Sequence, residues 1–208
     1  AVLEHARMIK DRDEISRIAN ASKASARIIK NLSISGTESS LAADLDWNIR
    51  KSGNKNAFDT IVATGNNIKT PHHTPTNKQL GKTVLIDLGV NYRGYCSDMA
   101  RTFGSPYEKI VQSVLSDIEE KMAPGVSCSD LDALARKALG KYRKKFITSL
   151  GHGVGIAIHE KPSISAASKD ILRKGMVIAV EPAIYASNGC RIENTYLITE
   201  NGCKNLTA

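Results

Sequence analysis

Residues 85–103, LIDLGVNYRGYCSDMARTF, restrict the fold most, because they set two aspartates, Asp87 and Asp98, on the arms of one hairpin. Apolar-rich, β-compatible runs flank NYRG, and the Asn and Gly that bound this four-residue stretch are turn residues. With Tyr92 and Arg93 as the loop, Asp87 and Asp98 are expected to be direct cross-strand neighbours. Opposed residues have Cβ atoms only ~5 Å apart, and like charges so placed are destabilising. The hairpin therefore calls for positive charge between its arms.

The stretch VIAVEPAIYASNGCRIENTYLIT repeats the arrangement with Glu181 and Glu193. ASNG supplies the turn, and centring the loop on Ser187 makes the two acids face each other across an odd-length or bulged connection. A single strand acid normally points to water. Four at matched positions, some in surroundings as apolar as VIAVEP, are costly unless neutralised, and a metal ion is one remedy. SLGHGVGIAIHE adds nitrogen donors: Gly151, Gly153 and Gly155 allow close backbone approach and leave His152 reachable by an ion. His159, seven residues on, falls on the opposite face of a regular strand, so the two imidazoles are assigned different tasks unless the glycines bend the chain. His72 and His73, in the proline-bracketed TPHHTP, mark the edge of an active site, with one of the two on the surface only. Four carboxylates against two divalent cations give a neutral core, and oxygen ligands with one imidazole suit Mn, Fe, Co or Zn. Two ions ~3.5–4 Å apart can share a water, lower its pKa and polarise a carbonyl. That chemistry hydrolyses amides.

The rest of the chain frames these strands. At 208 residues it can bury one substantial core, and no run approaches the ~20 apolar residues needed to cross a bilayer. The start, AVLEHARMIKDRDEISRI, is a mixed-charge amphipathic pattern and not a secretory signal, so a cytoplasmic protein without membrane partners is expected. Four cysteines without a C-x-x-C pair read as reduced thiols. Net charge is +8, yet KYRKK at 141–145 lacks aromatic interleaving and reads as a solvated helix end, so nucleic acid is not an expected partner. Helices are expected over 11–31, 37–51 and 129–142, and another behind a capping box of Ser105 and Glu108 with Pro106 in its first turn. Helix, helix, histidine and carboxylate hairpin recur in the same order after residue 104. The order implies two similar α+β halves that share a central sheet layer with helices outside.

FDTIVATG, IDLGVNYRGYCSDMARTF, GHGVGIAIHE, MVIAVEP and RIEN together resemble the pita-bread-fold metallopeptidases, a family that includes methionine aminopeptidase, aminopeptidase P, prolidase and creatinase. The resemblance runs from RMIKDRDEISRIANAS to TENG. It implies an α+β pita-bread fold with two pseudo-symmetric halves, a curved and mostly antiparallel central sheet and a single catalytic domain over 1–208. In that family's pattern Asp87 binds one metal, Asp98 and Glu193 bridge both, and His152 and Glu181 hold the second. His72 and His159 flank the substrate, with His159 near the scissile carbonyl, and Glu181 accepts a proton from the bridging water.

FDTIVATG and the run from TPHHTP to IDLG resemble prolidase and aminopeptidase P, implying a dinuclear exopeptidase acting on a short peptide or dipeptide before proline. Two positions depart from the proline-specific pattern: Thr148 stands where a further histidine is common, and Asn194 follows Glu193 where an aspartate is usual. The chain begins where the catalytic domain of proline-specific relatives begins, without their usual amino-terminal domain, and Ala1 without an initiator methionine suggests a trimmed chain or a fragment, so that difference is expected to be either real or an artefact. Methionine aminopeptidase, a creatinase-like amidinohydrolase and a non-enzymatic binding module are the alternatives, and a homodimer stays open.

Overall fold

The computed structural model of the protein describes residues 2–208, so Ala1 lies outside it. The amino-terminal half contains α1 (Val2–Met8), α2 (Arg12–Lys30), α3 (Glu38–Lys51) and strands β1 (Lys55–Asn56), β2 (Ile61–Thr64), β3 (Val84–Leu88), β4 (Val90–Tyr92), β5 (Tyr95–Cys96) and β6 (Met99–Phe103). The second half contains α4 (Glu108–Lys121), α5 (Cys128–Ala138) and strands β7 (Gly151–Gly153), β8 (Glu160–Ile164), β9 (Val177–Val180), β10 (Ala183–Ile184), β11 (Cys190–Arg191), β12 (Asn194–Ile198) and β13 (Cys203–Asn205). None of the described helices is long and apolar enough to cross a membrane.

Local chemistry explains where the helices start. Asp11 accepts the Glu14 N–H at 2.9 Å while Glu14 accepts the Asp11 N–H at 2.9 Å, a reciprocal box that opens α2. Thr37 and Ser40 do the same for α3. The amphipathic start is broken between α1 and α2, because Ile9 pairs with Met176 and the Lys10 N–H bonds the Gly175 carbonyl at 2.9 Å. Ser105 does not cap α4. Its hydroxyl accepts the Tyr107 N–H and donates to the Asn188 carbonyl, and the helix begins at Glu108 without a side-chain cap. KYRKK lies on a short 3-10 segment, Gly140–Lys145, beyond α5. All four cysteines are free thiols.

All strand pairs are antiparallel, and the central layer consists mainly of the sheets β2-β3-β6 and β13-β12-β9-β7-β8. Helix α3 buries Leu41, Ala42 and Leu45 against Val62, Val84, Ile86 and Leu88, while α4 and α5 bury Val111, Leu115, Ile118 and Leu131 against Ile178, Val180, Tyr196 and Ile198. The two halves are laced together at β6. Glu193 donates its N–H to the Ala100 carbonyl at 3.0 Å, Arg191 donates its N–H to the Thr102 hydroxyl at 3.0 Å, and Asp98 donates its N–H to the Thr195 hydroxyl at 3.1 Å. These bonds carry acids from both halves to one place.

The second carboxylate hairpin has the expected register: Ala183 faces Arg191 and Val180 faces Asn194, which sets Glu181 opposite Glu193. The first does not. Its tip is Arg93-Gly94, with φ of 50° and 88°, and Asp87 pairs with Ala100 instead of Asp98. Positive φ at both tip residues is the twist-matched two-residue turn, and glycine suits its second position. Moving the tip by one residue moves every partner by two, which preserves the face. Asp98 therefore remains on the same side as Asp87, as a diagonal neighbour.

Candidate metal centre

Asp87 is on β3, Asp98 immediately precedes β6, Glu181 follows β9, and Glu193 lies between β11 and β12. With His152 of β7, they line one cavity of about 300 Å³. His72, His73 and His159 also line it, with His72 and His159 more exposed. Apolar surface comes from Phe58, Ile61, Pro75 and Ile158.

The acids are packed against one another. Burial and the neighbouring Asp87 and Glu181 charges push the Asp98 carboxyl well above the usual range; burial and the Asp98, Glu181 and Asp87 charges do the same to Glu193. Burial drives Glu181 up to about 7. Asp98, His152 and Glu193 each present a ligand atom, all within 4.8 Å of one another. His152 Nε2 is 3.5 Å from Asp98 and 3.9 Å from Glu181. Its Nδ1 donates to the Gly153 carbonyl at 3.1 Å, which leaves Nε2 as a bare lone pair aimed at the acids. Burial and His159 lower the His152 pKa to about 4, so the ring stays neutral at physiological pH.

The two imidazoles expected on opposite strand faces meet edge to face, with ring centroids 4.4 Å apart. The strand ends at Gly153, and the chain bends through His159 before β8 begins at Glu160. Of the other pair, His73 is tied by Nε2 to Glu38 at 2.9 Å, and the more exposed His72 lines the cavity.

Arg191 was not singled out in the sequence, although it lies two residues before Glu193 in RIEN and so points to the same face of its strand. It is 2% exposed, pairs with Asp87, and donates to the Pro71 carbonyl and the Tyr185 hydroxyl, each at 3.2 Å. With all four acids ionised the guanidinium brings their sum to −3, so the neutral balance of four acids against two dications omits a charge. Asp87 Oδ1 is buried without a hydrogen-bond partner among the described residues. An orphaned carboxylate oxygen, a bare imidazole nitrogen and acids whose pKa values are raised by burial and by one another together form a hard, oxygen-rich donor set suited to divalent cations.

The geometry agrees with what the chain is similar to. The family model of metallopeptidase family M24 matches residues 14–200. The chain belongs to this family. An M24 relative named Xaa-Pro dipeptidase, from Pyrococcus furiosus, is 40% identical over 225 residues, which cover 99% of this chain and 65% of the relative. Among solved M24 structures, prolidase from Pyrococcus furiosus superposes with a TM-score of 0.90 at 37% identity, covering 100% of this chain and 67% of that one. X-Pro aminopeptidase from Thermotoga maritima gives 0.91 at 34% identity, covering 100% and 64%. The fold is the pita-bread fold of these M24 proteins, and the chain spans about two thirds of their length.

Proposed function

We propose that residues 1–208 form one catalytic domain that holds two divalent metal ions, chosen from Mn, Co, Fe or Zn, and hydrolyses short Xaa-Pro peptides. The observation that carries this reading is the convergence of four carboxylates, three of them buried and Glu181 partly so, and the His152 lone pair on one cavity. Asp87, Asp98 and Glu193 would hold the first ion, and Asp98, Glu193, His152 and Glu181 would hold the second. When bound, the ions supply a lowered water pKa and Lewis-acid polarisation of the scissile carbonyl. With Arg191 counted, the loaded centre would stand at +1, a balance that would favour loss of a proton from the attacking water. Glu181 would accept that proton at a carboxylate oxygen. His72 and His159 flank the peptide at the rim, and His159 hydrogen-bonds near the scissile carbonyl. Phe58, Ile61 and Ile158 give the amino-terminal residue an apolar wall.

The test is release of the amino-terminal residue from Xaa-Pro dipeptides with added Mn or Co, with Met-Ala peptides offered in parallel. Cleavage of Xaa-Pro substrates is expected, with metal content of about two ions per chain falling sharply in Asp98→Ala and Glu193→Ala. Absence of hydrolysis with every divalent ion would sink the proposal, and preference for Met-Ala would transfer it to methionine aminopeptidase.

A further inference from the structure

We infer that Glu38 is a positioning residue that fixes the segment 70–76, and through it His72, at the mouth of the cavity. The inference rests on the role proposed above for His72. Glu38 opens α3, is 0% exposed, and receives donors from three other parts of the chain. The Thr64 N–H at the end of β2 donates to Oε1 at 2.8 Å. The Asn67 amide donates to both oxygens, at 2.9 and 3.0 Å. His73 Nε2 reaches Oε2 at 2.9 Å, the Thr76 N–H at 3.1 Å and the Thr76 hydroxyl at 2.7 Å. An ionised carboxylate only accepts, so His73 carries its hydrogen on Nε2.

The position of His72 explains why this matters. Its ring makes no hydrogen bond among the described residues, so its backbone sets its place. The Pro71 carbonyl on one side is held by Arg191, the partner of Asp87, and His73 on the other is held by Glu38. His72 is strung between two anchors, one of them in the metal centre and the other Glu38. Neighbouring bonds stiffen the second anchor: the Ser39 N–H donates to the Thr76 carbonyl at 2.9 Å, and the Ser39 hydroxyl to the Pro75 carbonyl at 3.1 Å. A glutamine at position 38 offers one acceptor where the carboxylate offers two, and its amide nitrogen would confront the donors of His73 or Thr76.

The test is a double-mutant cycle read in kcat/KM on an Xaa-Pro dipeptide with added Mn, using wild type, Glu38→Gln, His72→Ala and the double variant. Misplacement of a substrate-flanking group costs on the order of 100-fold. That loss is expected for Glu38→Gln when His72 is present and should vanish when it is absent, with metal content unchanged throughout. Thr76→Val, which keeps the carboxylate and removes one donor, is expected to show a smaller loss with the same dependence on His72. A merely structural role would make the losses multiply, and that result would overturn the inference alone. Full activity of His72→Ala would overturn the role of His72 together with the inference.

Discussion

A buried carboxylate must be met by donors or by a cation, and this protein holds carboxylates that call for each. Glu38 is surrounded by donors. Burial alone would raise its pKa, but the hydrogen bonds from His73, Thr76, Thr64 and Asn67 hold it below the ordinary 4.5. Because the folded-state pKa is depressed, the stability it contributes is complete above pH 4.5 and is lost as pH falls through the folded value. Urea unfolding of wild type and Glu38→Gln should therefore differ by about 2 kcal/mol at neutral pH, with the gap closing at more acid pH. Asp98 and Glu193 are met mostly by other acids, and their pKa values move the opposite way. Individual residues showed only part of this. The paired acids stood out because charge inside apolar strands is expensive. A helix-opening glutamate such as Glu38 carries no such signal, since most face water.

At the scale of elements, periodicity and caps located α2 and α3 well, and turn chemistry placed the Glu181–Glu193 hairpin in its register. The Asp87–Asp98 hairpin was centred one residue early, because the turn accepts Arg93 at φ 50° to gain Gly94 at its second position. An arginine there bears a left-handed backbone penalty that asparagine largely avoids. Arg93→Asn is accordingly expected to stabilise the protein by up to about 1 kcal/mol, read as a raised Tm with unchanged metal content. Ser105 shows the opposite limit: the capping sequence is present, but the Asn188 carbonyl claims its hydroxyl, and a local rule yields to a contact 83 residues away. Helix α4 is held by its apolar face. Leu115→Ala, at 1% exposure, should cost about 2–5 kcal/mol in denaturant unfolding.

For the molecule as a whole, the candidate metal centre is also a joint between halves, since the first half presents Asp98, just before β6, while the second half presents His152, Glu181 and Glu193. Ions bound there should couple to global unfolding. A divalent ion at 100 times its Kd contributes about 2.7 kcal/mol, which for a chain of this size is roughly 5–10 °C in Tm over chelated protein. Asp98 and Glu193 have raised pKa values in the ion-free fold, so their contribution is present at acid pH and declines as pH rises. The thermal shift on adding Mn, followed by calorimetry, should therefore be larger at pH 8 than at pH 5. An equal shift at both would contradict the electrostatic account. The sequence by itself determined the acid and histidine inventory, the helices, the antiparallel hairpins and the order of two similar halves, because these follow from local periodicity and turn chemistry. Only the tertiary structure decided that Arg191 pairs with Asp87, that His152 meets His159, and that Glu38 anchors the segment beside His72. Those contacts join residues far apart in the chain, and no local preference encodes a distance that folding alone closes.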